Sequence, residues 1–260
     1  MSDLVLSEDH GPVRHLVLNR PEKRNAFHDE LVLATGTALR AAADDPAVRV
    51  VVVRGAGPLF SSGMDLGSLG ALSAAPDQLR TFRRHCLEAW NLAEEMPKPV
   101  ICAIHGACIG GALELALACD FRVLAADAIV GMPETRIGLI PDVGGSSRLP
   151  QVVGLGRAKE LIMTGKLIDG TEAERIGLAN RVAPAEEIEA ATQALVDELL
   201  ACAPVAVGLA KRVMDASARP ALATTLELEV AMQERCARSA DYAEGAAAFR
   251  EKRAPQFSGS

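Results

Sequence analysis

The chain has 260 residues, of which 49% are hydrophobic and 23% are charged, the balance of a globular protein with a sizeable core. A net charge of −7 and an aromatic content of 3% exclude a general nucleic-acid binder, because such a protein needs a basic face and stacking surfaces. No apolar run reaches the roughly 18 residues of a membrane span, and the N-terminus lacks the pattern of a secretory signal. We therefore expect a cytoplasmic protein with no nucleic-acid and no membrane partner.

The first half of the chain alternates between predicted strands and predicted helices. Apolar, β-branched runs predict strands at 13–19, 48–54 and 100–104, and helical patterns follow at 27–43, 77–95 and 111–119. Two short strands are predicted at 121–124 and 128–130, and a long loop at 132–150. The strand–loop–helix unit that recurs three times before residue 120 predicts an α/β fold with crossover connections.

The second half is predominantly helical. From about residue 154 the apolar residues recur at helical spacing, with one predicted strand within 179–184. The stretch 185–252 predicts three or four amphipathic helices and has few strand signals.

The cysteines and histidines favour neither disulfides nor a metal site. There are six cysteines, none in a CxxC pair, and several lie in apolar stretches, so we expect buried, reduced thiols. The five histidines are scattered without metal-ligand spacing, and we expect no metal site.

Two glycine-rich loops follow predicted strands, FSSGMDL at 60–66 and HGACIGGALE at 105–114. Glycine lets a backbone approach a ligand closely, and the first N–H groups of a helix have no partners within the helix. Two such amides that converge on one oxygen would form an oxyanion hole. Two ordinary strand–helix turns would produce the same pattern.

Three acidic residues are candidates for proton transfer. Glu114 is the one charged residue among apolar residues and glycines from 109 to 119, which predicts a buried carboxyl group with a raised pKa. A capping carboxylate or a buried ion pair is the alternative. Glu134 and Asp142 lie in the loop that Pro133, Pro141 and neighbouring glycines stiffen, which is either a functional loop or a solvated one. Together they suggest acid–base chemistry beside a polarised carbonyl.

The segments FSSGMDL, HGACIGGALELALACD and GMPETRIGLIPDVGGSSRLP resemble, in this order, signature segments of the crotonase superfamily, and the enoyl-CoA hydratases among its members. The resemblance runs from LNRPEKRNAF to AFREKRAPQF. It implies an α/β spiral of ββα units at 1–200, which holds the CoA-binding and catalytic site. It also implies a helical oligomerisation region at 201–260 and a homotrimer or homohexamer. The implied substrate is an acyl-CoA thioester, with no cofactor besides this CoA.

The resemblance also assigns roles to residues. The amides of Met64 and Gly111 would hold the thioester oxygen. Glu114 would activate a water for attack at C3 of a trans-2-enoyl-CoA, and a protonated Glu134 would donate to C2. Two acids close together in a shielded site do not both ionise readily, which divides these roles. The product would be a 3-hydroxyacyl-CoA.

Asp142 departs from the simple hydratase pattern. It falls where these hydratases often have glycine, and isomerase branches use an acid at that position for proton transfer. Double-bond isomerisation of an enoyl- or dienoyl-CoA through Asp142 and Glu134 is therefore a second hypothesis. A non-catalytic acyl-CoA-binding paralogue is a third, since a fold does not determine a function. Acyl chain length and pathway are not readable from the sequence.

The same resemblance suggests the residues that contact CoA. They are Arg24, Ala26, Ser62, Gly63, Met64, Asp65, Leu66, Gly110, Gly111 and Lys252. Asp65 would serve the loop and the nucleotide edge. Lys252 would reach the CoA phosphate of a neighbouring subunit, or it is simply a solvated lysine on an exposed helix.

Overall fold

The computed structural model describes residues 3–68, 76–218 and 222–258, and two β-sheets form its centre. Their strands are β1 (Val5–His10), β2 (Val13–Leu18), β3 (Val50–Gly55), β4 (Val100–Ile104), β5 (Ala107–Ile109), β6 (Phe121–Ala125), β7 (Ile129–Gly131), β8 (Leu167–Ile168) and β9 (Arg181–Ala183). The larger sheet has the order β1-β2-β3-β4-β6-β9, antiparallel between β1 and β2 and parallel elsewhere. The smaller sheet has the order β5-β7-β8.

Helices surround the sheets and occupy most of the C-terminal part. They are α1 (Asp29–Asp44), α2 (Pro76–Glu95), α3 (Gly111–Ala118), α4 (Gly145–Val153), α5 (Leu155–Thr164), α6 (Gly170–Arg175), α7 (Ile188–Leu200), α8 (Pro204–Ala218), α9 (Leu222–Ala237) and α10 (Ala240–Glu251). Short 3-10 segments cover Pro21–Lys23, Glu134–Ile137 and Ala185–Glu187. The four helices α7 to α10 confirm the predicted helical stretch.

The central strands are buried because helices cover both faces of the parallel sheet. All five residues of β4 are buried, as are the four valines that open β3. Each face then needs apolar side chains, which produces a continuous hydrophobic run rather than an alternating one. The runs at 48–54 and 100–104 therefore predicted these strands correctly.

The third strand–loop–helix unit is a ββα unit in the structure. After β4 in the larger sheet, the chain forms β5 in the smaller sheet and then α3. The preceding loop has the same arrangement in reduced form, since Ser61 makes an isolated β-bridge to Cys108 of β5. β5 is only three residues long and lies between Gly106 and Gly110, so it carries no strand signal in the sequence.

The sequence analysis missed three strands and one helix. β1 is an edge strand with no buried residue, so its SEDH stretch has no hydrophobic signal. β5 and β8 are only three and two residues long. The predicted loop at 132–150 is wrong in part, because a 3-10 segment begins at Glu134 and α4 begins at Gly145. The first N–H of α4 is bound by a side chain from α3, a tertiary contact that local sequence cannot indicate.

The prediction for the cysteines is right at four positions. Cys86, Cys102, Cys108 and Cys119 are buried and free, whereas Cys202 is exposed and Cys236 is half-buried. Within the ranges described above, no single helix is long and apolar enough to cross a membrane; α7 with its 3-10 turn and α8 pass together only as a pair bent by 102°. The predicted division at residue 200 falls between α7 and α8 and stays a prediction.

Candidate active site

The first glycine-rich loop is attached to the core through Phe27. The Phe27 N–H donates to the Gly63 carbonyl at 2.8 Å, and the Asp65 N–H donates to the Phe27 carbonyl at 2.8 Å. Phe27 is fully buried and meets Trp90 edge-on, with 5.0 Å between the ring centroids. These contacts hold the peptide of Met64, which lies between the two bonded residues.

Asn25 organises the backbone beneath this loop, a role that sequence reasoning missed. It is fully buried and left-handed, with φ +50°. Its Oδ1 accepts from the Arg20 N–H at 2.9 Å, and its carbonyl accepts from the Ser61 hydroxyl at 2.8 Å. Its Nδ2 donates to the carbonyls of Ala56, Leu59 and Phe60 at 2.9 to 3.1 Å. The motif LNRPEKRNAF contains Asn25, but nothing local to the motif indicates these distant acceptors.

We expect Asn25→Ala to lower the free energy of unfolding by about 3 kcal/mol, because it leaves several buried backbone groups without partners. The measurement is the urea midpoint, with an unchanged m-value. Asn19→Ala is the matched control, since its Nδ2 makes one exposed bond to the Asp3 carbonyl and should cost less than about 1 kcal/mol. Equal losses in the two variants would contradict the role of Asn25.

The two glycine-rich loops lie against each other. A Cβ built on Gly63, which has φ +91°, would collide with the Ile109 carbonyl oxygen and lie 3.7 Å from the Gly111 nitrogen. A Cβ on Gly111 would collide with the Met64 side chain. Gly111 is the first residue of α3, so its N–H has no partner inside the helix. The structure therefore brings together the loops that carry the two predicted oxyanion donors.

Glu114 lies in the first turn of α3 and is only 2% exposed. Its Oε1 accepts from the Val143 N–H at 2.9 Å and from the Gly145 N–H at 2.8 Å. Burial raises the pKa of Glu114 well above its usual value, and the neighbouring carboxylates raise it further. The expectation of a buried carboxyl group with a raised pKa thus agrees with the structure.

Glu134 reaches the same place from the 3-10 segment after β7. A Cβ on Gly110 would lie 2.6 Å from Glu134 Oε1, so this carboxyl group borders the N-terminus of α3. Its other oxygen, Oε2, is buried and has no hydrogen-bond partner within the part of the chain that the structure describes. Burial raises the pKa of Glu134 to about 8.

Glu114 and Glu134 differ in how well they tolerate a negative charge. Glu114 is buried, and Glu134 is partly buried with a buried Oε2. The charge of Glu134 raises the pKa of Glu114, so the pair favours sharing one proton. Two N–H donors stabilise the ionised form of Glu114, whereas the buried Oε2 of Glu134 has none. The charge is therefore favoured on Glu114 and the proton on Glu134.

Asp142 also belongs to this cluster, and it is paired with Arg83. Arg83 Nε forms an ion pair with Asp142 Oδ2, and Arg83 Nη2 donates to the Asp142 backbone carbonyl. Burial raises the pKa of Asp142 to about 6 although Arg83 opposes this shift. Sequence reasoning missed Arg83, since an arginine on the amphipathic helix α2 looks like any solvated residue.

Helix α9 bonds to the segment that carries Asp142. The buried Glu229 accepts from the Gly144 N–H at 2.8 Å and from the Ser147 hydroxyl. The buried Gln233 accepts through Oε1 from the Ile140 N–H at 3.1 Å. Sequence reasoning missed these two positioning residues, because polar residues on an amphipathic helix are usually solvated.

Three predicted CoA contacts, Arg24, Ala26 and Asp65, lie in or next to the first glycine-rich loop. Ala26 is buried, whereas Arg24 is exposed and accepts through its carbonyl from the Ser62 N–H at 3.0 Å. Asp65 forms an ion pair with Arg20 at 2.8 Å and accepts from the Gly67 N–H, so it holds the loop.

The remaining two predicted CoA contacts are exposed. Leu66 is 50% exposed at the end of the first glycine-rich loop. Lys252 is exposed in left-handed backbone after α10, with φ +54°. Its predicted contact with a neighbouring subunit stays a prediction.

Comparisons with known proteins identify the family of this chain. The family model described as enoyl-CoA hydratase/isomerase matches residues 8–260. The chain is 39% identical over 258 residues to an enoyl-CoA isomerase/hydratase of Mycosarcoma maydis, covering 95% of this chain and 93% of that protein. It is 35% identical over 254 residues to a crotonyl-CoA hydratase of Syntrophomonas wolfei, covering 97% of each. The crystal structure of an enoyl-CoA hydratase from Mycobacterium avium subsp. paratuberculosis has a TM-score of 0.88 at 28% identity, over 98% of both chains. The resemblance to the crotonase superfamily is thus confirmed, and the chain belongs to the enoyl-CoA hydratase/isomerase family of enzymes.

Proposed function

We propose that this enzyme adds water to a trans-2-enoyl-CoA and forms a 3-hydroxyacyl-CoA. The observation that carries the proposal is the pair of Glu114 and Glu134, of which the buried Glu114 accepts two backbone N–H bonds and the buried Oε2 of Glu134 accepts none. One carboxylate and one carboxylic acid side by side are what water addition requires, namely a base and an acid. No cofactor is needed besides the CoA of the substrate.

In the proposed reaction a water lies between the two carboxyl groups. Glu114 accepts one proton of this water while the oxygen bonds to C3 of the substrate. The electron pair of the C2–C3 double bond moves toward the thioester carbonyl, and Glu134 delivers its proton to C2. The N–H groups of Met64 and Gly111 stabilise the negative charge that develops on the thioester oxygen.

Double-bond isomerisation is a second candidate, favoured by Asp142. Its carboxyl group is largely buried beside the glutamate pair, with a pKa of about 6, so it could accept or donate a proton near neutral pH. A proton would leave C2 of a 3-enoyl-CoA, the double bond would move to C2–C3, and a proton would arrive at C4. Whether Asp142 takes part decides between the two reactions.

The test is purified protein with crotonyl-CoA, followed by loss of the conjugated-enoyl absorbance and by product mass. We expect a gain of one water, with a much larger loss of rate in Glu114→Gln than in Asp142→Asn. Isomerisation of 3-enoyl-CoA without hydration of any 2-enoyl-CoA, lost in Asp142→Asn, would favour the second candidate. Binding of acyl-CoA without turnover would favour the non-catalytic paralogue.

We further propose that the chain forms a homotrimer or homohexamer through α8. Val205, Leu209 and Val213 recur every four residues on this helix and are each more than half exposed, as is Met214. Contiguous exposed apolar side chains of this kind mark protein–protein contacts.

We expect light scattering to give the mass of a trimer or hexamer, and the double variant Leu209→Glu/Val213→Glu to give that of a single chain. Charges placed in a buried interface are costly to desolvate. Met163→Glu on α5 is the control, since Met163 is also highly exposed but lies on another helix. A monomeric wild-type protein would contradict the proposal.

A further inference from the structure

Arg83 is buried although its neighbour on α2 is not. Arg83 is 2% exposed, whereas the side chain of Arg84 is 65% exposed. A buried guanidinium is costly unless it is paired and hydrogen-bonded. Its ion pair with Asp142 and its bond to the Asp142 carbonyl offset this cost, and Nη1 is left without a hydrogen-bond partner within the described residues.

Arg83 holds Asp142 at two points. Its Nε pairs with the carboxylate and its Nη2 donates to the backbone carbonyl of the same residue. The side chain of Asp142 is thereby oriented relative to its own main chain, and one carboxylate oxygen is engaged by a cation. Neither Glu114 nor Glu134 forms an ion pair within the described residues.

The surroundings of Asp142 are otherwise acidic. The charged or titratable groups that interact electrostatically with Asp142 lie on α2, α3, α9 and the 3-10 segment Glu134–Ile137. They are Arg83, Cys86, Glu114, Glu134, Glu229 and Cys236. Since Arg83 is the positive group in this set, its loss would leave Asp142 facing three carboxyl groups.

We propose that Arg83 is a positioning residue that keeps Asp142 as an ion-paired carboxylate, confines proton transfer to Glu114 and Glu134, and so favours water addition over double-bond migration. The inference rests on the proposed function. An ion-paired carboxylate is a weaker proton acceptor than a free one, because accepting the proton removes the attraction to its partner. Without Arg83, Asp142 would compete with the glutamate pair for a proton and would accept one from substrate carbon.

The first test compares Arg83→Met with Arg83→Lys. In Arg83→Met, we expect the ratio of 3-enoyl-CoA isomerisation to 2-enoyl-CoA hydration to rise about tenfold, and the acidic limb of the kcat/KM profile to move up by about one pH unit. Arg83→Lys keeps the positive charge, so its ratio and its acidic limb should both lie close to those of the wild type. Arg84→Met is the matched control and should leave both unchanged, since Arg84 is exposed. If Arg83→Met folds and neither the isomerisation-to-hydration ratio nor the acidic limb of the kcat/KM profile changes, the proposal is overturned.

The second test asks whether the effect acts through Asp142. In the Asp142→Asn background, Arg83→Met should cause no further change in the ratio or the pH limb. Equal changes in both backgrounds would indicate a merely structural role and would also overturn the proposal.

A third measurement needs no Arg83 variant and no turnover. Carboxyl carbon NMR of wild-type protein, with Asp142 assigned by its absence in Asp142→Asn, should report an ionised carboxylate at pH 7. A protonated Asp142 at that pH would overturn the proposal. If the wild type forms no 3-hydroxyacyl-CoA from any 2-enoyl-CoA, the proposed function fails, and the NMR titration still decides the state of the ion pair.

Discussion

Glu114→Gln should reduce kcat/KM for hydration by roughly 10²- to 10⁴-fold, the usual contribution of a positioned acid–base group. The amide cannot accept a proton from water, but its oxygen can still accept the N–H groups of Val143 and Gly145. The loss should therefore lie in kcat rather than in folding. The measurement is steady-state kinetics on crotonyl-CoA, or on a longer 2-enoyl-CoA if that is the better substrate.

The stability of Glu114→Gln against pH provides the control. The folded-state pKa of Glu114 is raised, so the folded protein binds this proton more tightly than the unfolded chain does. The cost of ionising Glu114 is absent below the unfolded pKa of about 4.5 and grows as pH rises toward the folded pKa. Relative to wild type, Glu114→Gln should therefore become more stable as pH rises, which urea midpoints at several pH values would detect. A variant that is inactive and unstable at every pH would contradict a purely chemical role.

Gly63→Ala should reduce kcat by roughly 10²- to 10³-fold, the cost of losing one oxyanion donor. The added Cβ would collide with the Ile109 carbonyl oxygen, which is backbone and cannot rotate away. The loop that carries Met64 must then move away from the N-terminus of α3. The measurement is kcat with the same substrate, together with the affinity for a non-reactive acyl-CoA, which should change less.

Gly11→Ala separates this collision from backbone strain. Gly11 has φ +61°, but a Cβ there would meet nothing within 4 Å. Both variants therefore place alanine in left-handed backbone, and only Gly63→Ala displaces the site. Similar activity losses in the two would show that the loop contact does not position the oxyanion donor.

The central strands and the acidic residues were the predictable parts. The valines of β3 and the apolar run of β4 have no polar face, and a strand buried on both sides is the structure that satisfies them. Glu114 was noticeable for the same reason, as a charge without a polar neighbour. The apolar runs and the isolated charge are local features of the sequence, so they predict buried strands and a buried carboxyl group without tertiary information.

The partners of these residues were not predictable. Arg83 and Asp142 are 59 residues apart, and the Val143 and Gly145 amides bond to a carboxylate about 30 residues earlier in the chain. Helix α4 was missed because its first N–H is bound by that same carboxylate rather than by a neighbouring side chain.

The sequence by itself therefore determined the α/β class, the two glycine-rich loops and the three acids. Only the tertiary structure decided which acid accepts two N–H bonds from a distant loop, which has a buried oxygen without a partner and which is paired with a cation. The physical reason is that a strand or a helix depends on neighbouring residues, whereas a pKa depends on burial and on charges that folding brings together from distant positions.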